Sequence, residues 1–223
     1  MPSPLAILIR RILVCALVLT SPVMTLAKSQ GPNSERTLRD GDILFQDSHS
    51  DQSDAIKALT HSPFSHCGIY MHGKVIESGC RGRRLSLSAW ILRDGSHYKA
   101  ERLKGYPQGL PAAEIVNLEN AADGYAKKPY NGCFYWDPDS EQKPDSIYCS
   151  QLVWLAYRDA LDVKLVDADK FQRFSDFQIE GQTKDKLLAR YKDANLKYDP
   201  KVKVLTPQKL FESDKLFIVV NPK

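Results

Sequence analysis

Apolar and polar positions along this chain recur with two periods, and the switches between them mark its elements. Ile43-Leu44-Phe45, entered through Gly41-Asp42, reads as a short buried strand. Over residues 51–60, Ala55, Ile56 and Leu59 share one helical face. Residues 65–71 form a strand pattern, His72-Gly73 a two-residue turn, and residues 74–78 the returning strand of a hairpin. From Pro111 to Tyr125, Ile115, Leu118, Ala122 and Tyr125 follow helical spacing until Lys127-Lys128-Pro129 stops it. Residues 130–145 are an aromatic, proline-punctuated loop. Cys149, Leu152, Val153, Ala156 and Ala160 then form the strongest amphipathic stripe in the chain. Residues 167–200 are charged and poor in apolar positions, which predicts loops and an exposed helix near 184–193. Thr206-Pro207 has the form of a helix N-cap followed by proline at the first helical position, and residues 216–220 are a last apolar strand.

The amino terminus follows a different logic. Arg10-Arg11, the apolar run 12–19 and Thr25-Leu26-Ala27 have the order of a secretory signal peptide cleaved after Ala27, which predicts a protein exported to the periplasm or secreted. The run is about half the ~20 residues a membrane span needs, so no stable span is expected after cleavage, and a retained anchor is the alternative. Bulky Val14 argues against lipid attachment at Cys15. Residues 28–39 are a polar, flexible lead-in, and one domain is expected over 40–223. With 43% apolar residues in 223, the chain can bury a sizeable core. Its 31 basic against 27 acidic residues are no nucleic-acid stripe, so nucleic acid is not an expected partner. Four cysteines (67, 80, 133 and 149) remain beyond the leader, too few to staple a disulfide scaffold and without the Cys-x-x-Cys spacing of structural zinc.

One of the four stands apart. Asp145 or Ser146 can cap the helix after Pro144, which puts Cys149 in its first turn. There the backbone N–H groups and the helix dipole favour a thiolate, although a buried cysteine acting as a small hydrophobe is the plainer alternative. The hairpin offers a partner. Its turn sets Tyr70 opposite Val75 and Gly68 opposite Glu77, so His66 and Glu77 lie on one face as a diagonal pair. Cys67 then points to the other face, away from His66. Thiolate, imidazole and an orienting carboxylate are the components of acyl transfer through a covalent intermediate. The other histidines (49, 61, 72 and 97) sit in turns or polar stretches and read as surface residues. A metal or redox site from His66, Cys67 and Cys80 is disfavoured because strand alternation separates the histidine from both cysteines, and no metal or cofactor is expected.

Five blocks occur in order: Gly41-Asp42-Ile43-Leu44-Phe45-Gln46, Ser65-His66-Cys67-Gly68, Val75-Ile76-Glu77-Ser78, Lys128-Pro129-Tyr130 and Tyr148-Cys149-Ser150-Gln151-Leu152-Val153-Trp154. Together they resemble the YiiX-like permuted papain-like amidases of the NlpC-type cysteine peptidase superfamily. The resemblance implies an α+β, circularly permuted papain-like fold, an antiparallel sheet packed against helices. It also implies Cys149 as nucleophile, His66 as base and Glu77 as orienting residue. Tyr148, Tyr130, Asp42 and Gln46 are the expected substrate contacts, and the loop 130–136 the expected pocket wall. Gln151 and Cys67 depart from the family pattern; Gln151 bears on substrate charge preference or on nothing. A disulfide between Cys67 and Cys80 is geometrically marginal, and Cys133 has no evident partner. The implied substrate is a peptide or peptidoglycan fragment cleaved at an amide. The alternatives are a lipid ester or amide, taken by a hydrolase or acyltransferase, and a catalytically silent binding domain.

Overall fold

The computed structural model describes residues 37–48, 53, 56, 57, 60–79, 84–93, 97–138 and 142–220. The expected leader, most of the lead-in and Cys80 lie outside these residues. Strand β1 (Ile43–Gln46) is buried along its whole length, because both neighbours and both faces of the sheet cover it. It pairs antiparallel with β2 (His66–Met71) on one side and β5 (Tyr98–Leu103) on the other. β3 (Lys74–Ile76) and β4 (Arg84–Ser86) extend the sheet past β2, and β8 (Leu216–Val220) closes it past β5, in the order β4-β3-β2-β1-β5-β8.

The hairpin has the predicted register: Met71 faces Lys74, Tyr70 faces Val75 and Ile69 faces Ile76. His72 and Gly73 both have positive φ, 51° and 75°, which is what a two-residue turn between right-twisted strands requires. Gly68 permits a close approach, since a Cβ there would lie 2.6 Å from Val75 Cγ1 and 2.9 Å from the Ile76 carbonyl oxygen.

One face of the sheet packs on α2 (Ala112–Ala126) and α3 (Cys149–Leu161) through Ile43, Phe45, Cys67, Leu118, Leu152 and Val153. The other face is covered by α1 (Leu87–Arg93), with Leu44, Val75, Leu87, Trp90 and Tyr98 between them. A third cluster of Cys133, Phe174, Ile179, Leu187, Tyr191 and Val204 joins α4 (Gly181–Asp193) to the two-stranded sheet of β6 (Gln172–Arg173) and β7 (Lys203–Val204). Cys133 belongs to it and donates through Sγ to the Arg190 carbonyl at 3.4 Å. α5 (Pro207–Phe211) begins as expected, with the Thr206 hydroxyl accepting from the Lys209 amide at 3.1 Å.

Leu38, in the expected lead-in, is buried against the α1 side, and the Thr37 carbonyl accepts from Arg102 Nη2 at 2.8 Å. Three expectations need correction. Neither Asp145 nor Ser146 caps α3. Its N-cap is Tyr148, whose amide donates to Gln151 Oε1 at 3.2 Å, so Gln151, fully buried, serves the helix start and not substrate charge. Asp42 is likewise a structural group. It is fully buried, with both carboxylate oxygens accepting from Arg102 (2.7 and 2.9 Å) and one also from the Arg39 amide at 2.8 Å. Burial raises its carboxyl more than Arg102 and the amide lower it.

Candidate active site

Cys149 is the first residue of α3, at the positive end of the helix and 4% exposed. Several ties fix that helix start. Ser150 Oγ donates to the Leu205 carbonyl at 2.6 Å, and the Leu205 amide donates to the Tyr148 hydroxyl at 3.3 Å. The preceding residue, Ile147, is gripped from the other side: its carbonyl accepts from Ser78 Oγ at 2.7 Å, and its backbone bridges the 129–131 segment.

His66, at the start of β2, donates from Nε2 to Glu77 Oε2 at 2.6 Å, which leaves Nδ1 for Cys149. Glu77 follows β3 and is almost completely enclosed. Its Oε2 also accepts from Trp90 Nε1 at 2.7 Å, and Arg93 pairs with both oxygens. Gln46 steadies this assembly from behind, donating from Nε2 to the Trp90 carbonyl at 2.9 Å. α1 therefore supplies two groups, Trp90 and Arg93, that were not anticipated.

A third unanticipated group is Cys67. Alternation holds, since Cys67 packs on the α3 side of the sheet while His66 meets Trp90 on the other. Cys149 nevertheless interacts with both, because the N-terminus of α3 stands at the end of β2, where side chains from either face reach it. Cys67 thus points away from His66, as expected, and still reaches the sulfur of Cys149.

Electrostatically, the hydrogen bond from Cys67 is the largest influence on Cys149; with the His66 charge it outweighs burial and holds the thiol well below its ordinary range. Burial pushes Cys67 the other way, and the neighbouring Cys149 adds to it, so Cys67 keeps its proton. Burial alone would lower His66, but Cys149 and Glu77 reverse this and raise the imidazole to about 10. Burial would raise Glu77, yet His66 and Arg93 bring it down to about 2. The resting arrangement is thus a thiolate beside an imidazolium, with a thiol donating to the sulfur and a carboxylate orienting the ring. A nucleophile and a proton donor in this order have the composition needed for acyl transfer through a thioester.

The remaining predicted contacts fare differently. Tyr148 lines a cavity beside Cys149, but its hydroxyl accepts from Leu205, and burial raises its pKa, so it stays protonated. Tyr130 does not line that cavity; its backbone pairs with Ile147. Gln46 is fully buried and, like Asp42, supports the framework. Of the aromatic loop 130–136, Phe134 lines the cavity, while Trp136 packs against Tyr148, Trp154 and Phe171. The opposite wall comes from Phe174, Phe177 and Ile179, in the charged stretch where the sequence suggested loops. The recurrence of Phe at 171, 174 and 177 was the available signal.

Residues 37–220 match the family described as permuted papain-like amidase enzyme, YaeF/YiiX, C92 family. An uncharacterized protein, YiiX of Escherichia coli strain K12, is 31% identical over 186 residues, which span 81% of this chain and 85% of the relative. The crystal structure titled as the metalloprotein yiiX of Escherichia coli O157:H7 superimposes with a TM-score of 0.66 at 30% identity, covering 83% of this chain and 98% of that one. The α+β layers, the block order and the match over residues 37–220 agree: this chain belongs to the permuted papain-like amidase family.

Proposed function

We propose that this protein is an exported cysteine hydrolase in which Cys149 is the nucleophile, His66 the proton carrier and Glu77 the group that orients the ring. The observation that carries this is the 2.6 Å bond from His66 Nε2 to an enclosed Glu77, which turns the other ring nitrogen to Cys149. The thiolate attacks an acyl carbonyl, and backbone N–H groups at the start of α3 face the developing oxyanion. His66 Nδ1 gives its proton to the leaving amine or alcohol. Water then attacks the thioester, His66 accepts its proton, and the sulfur leaves as thiolate.

The family likeness favours an amide as the bond broken, with peptidoglycan stem peptides as the first substrate class and lipid esters or amides as the second. The word metalloprotein belongs to the Escherichia coli O157:H7 relative. Among the described residues of this chain no group of three or more His, Cys, Asp or Glu is disposed to hold a metal ion. Both oxygens of Glu77 are committed to Arg93, Trp90 and His66. Wild type and Cys149→Ala assayed on cell-wall fragments and acyl lipids test the reading. A loss of at least about a thousandfold on one class is expected. Equal turnover by the two proteins removes Cys149 from the chemistry, and no turnover together with slow alkylation of Cys149 by iodoacetamide at neutral pH overturns the reading in favour of a binding domain.

A further inference from the structure

Acyl transfer asks nothing of Cys67 beyond a hydrogen bond, yet a thiol in that place has chemistry of its own. Cys67 is fully buried on the α3 side of β2, and the sulfur of Cys149 meets both its backbone amide and its side chain. Two unbridged cysteines therefore share one enclosed corner, one as thiolate and the other as thiol. Their access differs. Cys149 stands in the wall of the cavity beside α3 and Cys67 does not, so a small neutral solute entering there reaches Cys149 first. The other free cysteine among the described residues, Cys133, is held in the third cluster, where it donates to the Arg190 carbonyl.

We propose that Cys149 and Cys67 form a site of reversible oxidative modification, in which Cys149 takes an oxygen from a hydroperoxide and Cys67 then closes a disulfide on it. This rests on Cys149 being the reactive thiolate of the proposed hydrolase. With hydrogen peroxide, the thiolate attacks one oxygen, and the S–O bond forms as the O–O bond breaks. The departing oxygen takes the His66 proton and leaves as water. Cys149 is now an uncharged sulfenic acid, so the neighbouring charge that helped Cys67 keep its proton is gone. Cys67 attacks the Cys149 sulfur, the S–S bond forms as the S–O bond breaks, and the hydroxyl leaves with the Cys67 proton as a second water. Each sulfur has given up one electron, and each peroxide oxygen has gained one. Because the two thiols are already neighbours, closure is intramolecular and outruns a second encounter with peroxide. A dithiol reductant restores both thiols by exchange. Without the resolving thiol, oxidation continues to the sulfinic acid, which a dithiol does not reverse. The disulfide ties up the nucleophile, so turnover stops while the pair is oxidised and resumes once it is reduced.

The test uses the full chain, reduced and desalted, in which iodoacetamide at neutral pH should label Cys149 fast. After hydrogen peroxide the labelling of Cys149 should fall by at least about tenfold and return with dithiothreitol, and non-reducing peptide maps should show Cys67 joined to Cys149 within one chain. Cys67→Ala, taken to the same loss of labelling, should carry a sulfenic acid that dimedone traps, pass to the sulfinic acid with further peroxide, and then stay unlabelled after dithiothreitol. A wild-type map in which Cys149 ends as sulfinic acid, or is joined to Cys80 or Cys133, overturns the pair, and it does so whether or not the variant folds. Equal recovery of wild type and Cys67→Ala after excess peroxide overturns it as well. In either case fast labelling before peroxide leaves the thiolate standing. Slow labelling of the reduced wild type overturns the thiolate, and with it the hydrolase on which the pair depends.

Discussion

At the sulfur of Cys149, burial opposes charge while three neighbours promote it: the Cys67 thiol, the His66 ring and the amino end of α3. The neighbours prevail, and because His66 is raised to about 10 the ion pair survives across the neutral range. Alkylation of Cys149 should therefore be nearly independent of pH from about 6 to 9, whereas in His66→Ala it should climb roughly tenfold per pH unit toward the range of an ordinary thiol. A wild-type rate with that same slope would remove the ion pair from the account. Cys67→Val deletes a donor to the thiolate, so the acidic limb of the profile should move to higher pH; an unmoved limb would reduce Cys67 to packing. Cys67 itself was legible only as a strand residue facing away from His66. What brings it to the sulfur is the placement of α3 across the strand end, which no spacing rule encodes.

Among the elements, the hairpin fixes the pairing of base and carboxylate, and its tightest point is Gly68. A methyl group there meets Val75 and the Ile76 carbonyl, so Gly68→Ala should destabilise by about 1–3 kcal/mol. It should also lower activity by prising β3, and with it Glu77, from β2; thermal melts and turnover read the two effects, and an unchanged melting temperature would refute the crowding. The hairpin, the helix of Cys149, the Thr206-Pro207 cap and the last strand could be read because their signals are local in sequence. β5 could not. It is a central strand, yet Lys99, Glu101 and Arg102 break its apolar pattern. Those residues are tolerated through distant partners: Arg102 by Asp42, and Lys99 by the rings of Phe64 and Phe211. α1 was missed for a related reason, since the worth of Trp90 and Arg93 lies in a carboxylate on another element.

For the molecule as a whole, Glu101 sets a pH dependence of stability. Burial pushes its carboxyl up from 4.5 to about 8, against the pull of Lys99 and Lys104. The folded state therefore holds this proton more tightly than the unfolded one, and its contribution, complete below about pH 4.5, is lost as pH rises toward 8. Glu101→Gln should melt progressively higher relative to wild type over that window and level off above it. Parallel melting curves at all pH values would contradict the burial of this acid.

Leu205 belongs to two parts of the molecule at once. Its backbone anchors Tyr148 and Ser150 on either side of the nucleophile, while its side chain stands in the cavity wall. Whatever occupies that space leans on the same peptide that aims the sulfur, so preference and reactivity are mechanically geared. A change made here to alter which molecules are accepted would also alter how fast they react, whereas the Phe174–Ile179 side, which does not share that anchor, allows the two properties to be tuned separately.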